Sequence, residues 1–541
     1  MKYLILILGL CIAKVAVAQT PDIILYNGKI FTADKKQLYA SAIALKGTKI
    51  LAVGTDEKIR QLGDASTEAI DLGGKTVVPG FNDAHDHTGA DYPARRFAIQ
   101  RMPTDPTPWE AVRDSILQIT KEVPAGTLIR SSINPDLFED TRACLISLDS
   151  IAPLHPIILS AWTGHGVIAN SKAMTLLGYS AKTIIAGGWL EKDNKGMLNG
   201  ILHEYAAYPI DAILVSKMKA EDVYNNTRNY YSEALSLGIT SHQVMATEMF
   251  ASSFRKLYAV NDFGIRSRII AFPFSNRSSL HLTEWAGLFG RLNNKNYISG
   301  VKLILDGTPI ERLAYMSAPY TDHPNTSGHL DFDDVGINTY LQFCLSHNQQ
   351  IIVHAVGDGA IKKLIQQLRK LHPDPFWKDK RVRIEHGDLA IMNKEDLSTI
   401  QQMGIVIVQN PLHFGLPQVM APRLGNRTNY LQAMRSLIDN NIPIAIGSDG
   451  PMNPFLNIML AAIHPDNPKE AITIEEAVIA YTNGSAYAEF KEREKGTLTA
   501  GKLADLAVLS QDIFSVPLDA LPQTISVMTI IDGKIVYTKT K

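Results

Sequence analysis

Six residues at the ends of short apolar runs carry the chemistry this sequence offers. In chain order they are His85 and His87 in "PGFNDAHDH", Lys302 in "GVKLILDG", His354 in "IIVHAVGD", His386 in "RVRIEH" and Asp449 in "IAIGSD". Four imidazoles, a carboxylate and a lysine, presented from five strand ends, can meet at one point in a barrel mouth and hold metal. Successive side chains on a strand alternate faces, so His85 and His87 point the same way and one ion can take both. With 15 histidines in 541 residues, chance supplies about 0.4 His-x-His pairs, so the pair gains its weight from its strand-end position. His354 or His386 alone would read as a satisfied buried histidine, and Asp449 in "SDGP" alone as a turn residue.

Lys302 is the unusual member, because an ammonium repels a cation. At the end of an apolar strand, burial lowers its basicity and favours the neutral amine. A neutral amine adds carbon dioxide to give an anionic carbamate whose two oxygens can bridge two metals. Two divalent ions against that carbamate, Asp449 and a bridging hydroxide leave a residual charge of about +1. The chemistry expected is metal-assisted hydrolysis, with Asp449 taking a proton from the nucleophile and passing it to a leaving nitrogen. An all-nitrogen-and-oxygen ligand set points to one or two divalent ions, zinc first, with manganese, iron or cobalt as alternatives.

The elements that must position these residues form a (β/α)8 TIM-type barrel. Eight runs, "TVVPGFND", "GITSHQVMA", "IRSRIIAF", "GVKLILDG", "QQIIVHAVGD", "KRVRIEHGD", "GIVIVQN" and "IPIAIGSDG", alternate with helical segments such as "GAIKKLIQQLRKLH". Many are continuously apolar, as strands covered on both faces are. The barrel is assigned to residues 79–493. His87 lies too far from the second strand for a loop, so residues 90–230 are read as an inserted subdomain. Turn-punctuated short strands at both ends, residues 19–78 and 494–541, predict a composite β-sandwich built from the two termini. Thr473 and Glu476 make a capping box for the last helix.

The bulk properties narrow the partners. Net charge is −1 with no polybasic or acidic run, which favours a small-molecule substrate over nucleic acid or an anionic membrane. Residues 1–18, "MKYLILILGLCIAKVAVA", read as a signal peptide cut after Ala18, so the expectation is an exported, periplasmic or secreted protein without stable membrane insertion. Cys144 and Cys344 then remain, with no CxxC pair, so neither a disulfide framework nor a thiolate zinc site is expected.

With these segments in place, the chain resembles the amidohydrolase superfamily, and within it the amidohydrolase-3 group of YtcJ-like and N-substituted formamide deformylase-like proteins. "VVPGFNDAHDH", "GVKLILDG", "VHAVGD", "RIEH" and "GSDGP" resemble that group's strand-end motifs, and "GKLADLAVLS" its closing sandwich strand. The resemblance implies His85 and His87 on the first metal, Lys302 as carboxylated bridge, His354 and His386 on the second, and Asp449 as ligand and proton shuttle. It makes His165 and Asn170 in "GHGVIANSKAM", Arg312 in "DGTPIER" and His413 in "QNPLHF" candidate substrate contacts. It also implies an enzyme that cleaves an amide, formamide or cyclic amide C–N bond other than a peptide bond. Homo-oligomerisation is common among such proteins and is left open. Gly450, the run before Arg312, and His242 with Gln243 depart from the group's usual residues near the pocket. Esterase, lactonase or isomerase chemistry on the same site, or a catalytically dead binding protein, are the alternatives.

Overall fold

A computed structural model describes residues 19–88, 92–100, 102, 105–274 and 280–539. The segment read as a signal peptide lies outside them. Among the described residues, no helix is long and apolar enough to cross a membrane, and Cys144 and Cys344 are both free.

The centre is a barrel of eight parallel strands: β1 (Phe81–Asp86), β2 (Ile239–Met245), β3 (Arg266–Ala271), β4 (Tyr297–Ile304), β5 (Ile351–Ala355), β6 (Arg383–His386), β7 (Val406–Gln409) and β8 (Ile444–Ile446). They neighbour one another in that order around the sheet. Their apolar side chains are buried on both faces because helices cover the outside. The first and last strands meet where the Asp449 N–H donates to the His85 carbonyl at 3.0 Å. Gly447 allows this closure, since a Cβ there would lie 2.4 Å from the His85 nitrogen. The register sets the ligands side by side: Ile304 pairs with His354 across β4 and β5, and Ala355 with His386 across β5 and β6.

The run "TVVPGFND" divides at Gly80. Thr76–Pro79 belongs to the sandwich, and only Phe81 onward enters the barrel. Val78 pairs with Ala507, so a strand from each terminus shares one six-stranded sheet. A four-stranded sheet containing Ile23–Tyr26 packs on it, around Ile30, Ile43, Val77 and Leu506.

The insertion is a six-stranded sheet running from Arg95–Phe97 to Leu198–Glu204. It has its own core of Val112, Ile116, Ile129 and Leu159. The helix Ala220–Ser236 follows it and packs on β2 and on the C-terminal strand Ser526–Ile531. Tyr231, Ala234 and Leu235 are buried there, so this helix belongs to the barrel layer and the insertion stops short of residue 230.

The Thr473–Glu476 capping box is formed. The helix it starts, Ile474–Ile479, passes into a π-helical turn over Ala480–Gly484. Such turns shift a side chain's direction and often occur beside functional sites. Here the Tyr481 hydroxyl donates to Asp83 in β1 at 2.7 Å.

Candidate metal centre

The strand-end residues converge at the C-terminal mouth of the barrel. His85 is fully buried in β1. Its Nδ1 sits 2.6 Å from Glu385 Oε2, which assigns the proton to Nδ1 and the lone pair to Nε2. That Nε2 faces Lys302 Nζ at 2.9 Å and Asp449 Oδ1 at 3.5 Å. His87 Nδ1 contacts Thr247 Oγ1 at 2.8 Å and its Nε2 lies 3.3 Å from Asp449 Oδ1; burial opposes its charge, but Asp449 and Glu248 lift its pKa to about 9. The other Asp449 oxygen is 3.7 Å from His386 Nδ1 and 3.6 Å from His413 Nε2. His354 stands against His386, ring centroids 4.4 Å apart.

The donor set fits a divalent ion. One ligand atom each from His85, His386 and Asp449 all lie within 4.8 Å of one another. His354 Nε2 and His386 Nδ1 are buried without a hydrogen-bond partner, a condition native interiors seldom tolerate unless an ion or water completes the site. Burial drives the His354 and His386 pKa values well down, and burial with the neighbouring Lys302 charge takes His85 down to about 4. All three are therefore neutral imidazoles, the form that binds metal. Burial opposes ionisation of Asp449, but the ring of imidazoles around it, with His87 hydrogen-bonded and charged, holds the carboxyl well below its ordinary range. Lys302 is 2% exposed, and burial lowers its pKa.

Two ligands depend on unusual backbone. His386 follows Glu385 directly, and strict alternation would send one of them away from the site. Both nevertheless reach His85: Glu385 by its hydrogen bond, and His386 with ring centroids 5.0 Å apart. The left-handed conformation of His386, φ 66°, breaks the alternation. Asp449 has φ 42°. Each such residue costs on the order of 1 kcal/mol, a strain that tends to be kept where function needs it.

The supporting residues were not singled out from sequence. Arg383 and Glu385 sit two apart on β6 and form a bidentate pair inside the barrel, at 2.9 and 3.0 Å. Burial would raise the Glu385 pKa, yet Arg383 and His85 bring it down to about 2. Alternating charged residues in "RVRIEH" were the available signal. Asp83 accepts from the His85 and Ser448 backbone N–H groups. Asp86, between the two histidines, faces the other way and accepts from Tyr230 and His242.

The four candidate substrate contacts separate. His413 lies beside Asp449 at the mouth and stacks on His386, centroids 5.3 Å apart. His165 lies 5.0 Å from the His354 ring, and its Nδ1 is held by Glu204 at 2.8 Å and Tyr208 at 2.9 Å. Burial opposes the charge on His165, but Glu204 outweighs it and lifts the pKa to about 8. Asn170 is fully buried and spends its amide on backbone, accepting from Ile157 and Ala173 and donating to His155. Arg312 is tied to Asp322 at 2.8 Å and to Glu139 of the insertion at 2.9 Å.

Residues 68–537 match the amidohydrolase family as a whole. The chain belongs to the amidohydrolase family. It is 26% identical to the N-substituted formamide deformylase of Arthrobacter pascens, covering 96% of this chain and 99% of that protein. It is 27% identical to the putative amidohydrolase YtcJ of Bacillus subtilis (strain 168), over 95% and 99% of the two chains. Among solved structures, a metal-dependent hydrolase from Pyrococcus horikoshii OT3 superposes with a TM-score of 0.72 at 21% identity, over 92% of this chain and 99% of that one. That likeness supports the fold. Membership of this family implies use of a divalent metal, and the His/Asp cluster is where the chain can hold it.

Proposed function

We propose that this amidohydrolase cleaves a C–N bond other than a peptide bond, in an amide, formamide or cyclic amide of small-molecule size. The observation that carries the reading is the convergence of His85, His386 and Asp449 at the strand ends, with Lys302 Nζ against His85. His85, His87, His354, His386, Asp449 and a carbamate on Lys302 would hold one or two ions, zinc first. When bound, the metal would acidify a water and polarise the carbonyl.

The protein's own groups handle the proton. The Asp449 side chain keeps 19% of its surface exposed, enough to be met from the mouth, and stays anionic. It accepts the proton of the attacking water and delivers it to the departing nitrogen. Lys302 becomes a carbamate when its neutral amine adds carbon dioxide and releases one proton. His165, beside His354, and His413, beside His386 and Asp449, would orient the substrate carbonyl. The likeness to an N-substituted formamide deformylase favours N-formyl amines as the first substrates to try.

Export follows from residues 1–18 as an extension of this proposal, and N-terminal sequencing of fractionated cells tests it separately. The test of function is chelation and metal add-back, with turnover followed on matched N-formyl amines, N-acyl amines, cyclic amides, esters and lactones. Metal-dependent turnover of the nitrogen compounds supports the reading. Turnover restricted to esters or lactones, or unaffected by chelation, overturns it.

A further inference from the structure

Opposite the metal centre, at the N-terminal ends of the barrel strands, lies a cavity of about 400 Å³. Six cationic side chains line it: Arg266, Arg268, Arg291, Lys295, Lys491 and Lys495. Four have carboxylate partners. Arg266 pairs with Asp505 at 2.7 Å, Lys295 with Asp262 at 3.0 Å, Lys491 with Glu494 at 2.6 Å and Lys495 with Glu489 at 2.6 Å. Arg268 and Arg291 have no carboxylate partner among the described residues.

Arg268 is the telling member. It is 2% exposed, and its guanidinium donates to neutral acceptors: Ser299 at 3.0 Å, Gln350 at 2.8 Å and Gln243 at 3.3 Å. A buried cation without a counterion is expensive. Burial, with the Arg383 charge adding to it, brings the Arg268 pKa down to about 10, although the more distant Glu489 and Glu385 charges act the other way. Arg291 is exposed at the rim. The cavity thus joins a buried and an exposed guanidinium that both lack a carboxylate within ion-pairing distance among the described residues.

We propose that this cavity binds a small doubly charged oxyanion, a phosphate-type or dicarboxylate group, and that its occupancy is felt at the metal centre. The route is continuous. Gln243 Oε1 accepts from both Arg268 and Arg383. Arg383 holds Glu385, and Glu385 holds His85 Nδ1. An anion that draws Arg268 toward the cavity alters what Gln243 offers Arg383, and through Glu385 alters the basicity of a metal-ligating imidazole. The inference extends beyond hydrolysis and does not depend on which bond is cleaved.

The test is calorimetric titration of the metal-loaded protein with sodium sulfate and, in parallel, sodium malonate, at ionic strength held constant with sodium chloride. The expected result is saturable one-to-one binding in the millimolar range, weakened about tenfold or more in Arg291→Glu by loss of one charge-assisted contact. Arg291 is exposed, so that variant keeps its fold. Stronger binding of sulfate or of malonate tells a tetrahedral from a planar preference. No saturable heat, or equal binding in Arg291→Glu, overturns the site. Chelator competition then reads metal affinity with and without the anion. A change of about fivefold or more, abolished in Gln243→Met, supports the coupling, and an unchanged affinity refutes it.

Discussion

Replacing Glu385 with glutamine removes one negative charge and almost no volume. Glu385 is fully buried. It accepts from Arg383 at 2.9 and 3.0 Å and from His85 at 2.6 Å. Burial alone would raise its pKa; Arg383 and His85 reverse that and carry it from 4.5 to about 2. That fall corresponds to about 3 kcal/mol of preference for the carboxylate in the folded chain. An independent route gives the same size: leaving a buried guanidinium without its partner costs about 3–5 kcal/mol. Because the folded pKa is depressed, the stabilisation is fully present above about pH 4.5 and is lost as pH falls through about 2. Urea unfolding of the metal-stripped protein should therefore show Glu385→Gln less stable by about 3 kcal/mol near neutrality, with the gap narrowing below about pH 4.5. Metal affinity, read by chelator competition, should drop by about 10–100-fold, because the amide no longer fixes and enriches His85. A variant as stable as the parent near neutrality, with unchanged metal affinity, would refute the role given to this carboxylate.

Three further outcomes are expected. Asp449→Asn should lower kcat by about 10²–10⁴-fold, while circular dichroism stays native; wild-type turnover would remove Asp449 from the proton path. Lys302→Ala should lose activity and recover part of it when a short carboxylate is added to replace the carbamate oxygens, and failure of every carboxylate tried, with metal still bound, would count against a carbamate. Thr473→Ala should cost about 1 kcal/mol by freeing the Glu476 N–H at the helix start, measured as a fall in Tm with kcat unchanged; a larger loss of activity than of stability would tie the capping box to the site.

The strands of the barrel were legible because both their faces are covered, so each reads as an uninterrupted apolar run. The reading blurred where one run serves two domains. "TVVPGFND" is continuous in hydropathy, yet Gly80 splits it between sandwich and barrel. The insertion's far boundary was set too late, because the helix Ala220–Ser236 has the same amphipathic pattern whether it covers the insertion or the barrel.

Sequence by itself determined which residue types stand at the strand ends and that His85 and His87 share a face, because alternation is a local property of extended backbone. It also exposed Lys302 as a lysine in an apolar setting, since that requires only its neighbours. Tertiary structure decided which carboxylate meets which imidazole. Glu385 is 300 positions from His85 in the chain, and no spacing rule links them. It also decided that Asn170 spends its amide on the backbone and that Arg312 ties the insertion to the barrel, because a polar side chain's partners depend on what folds against it. The left-handed turns at His386 and Asp449 are likewise invisible in composition, since they are imposed by closure of the barrel around the site.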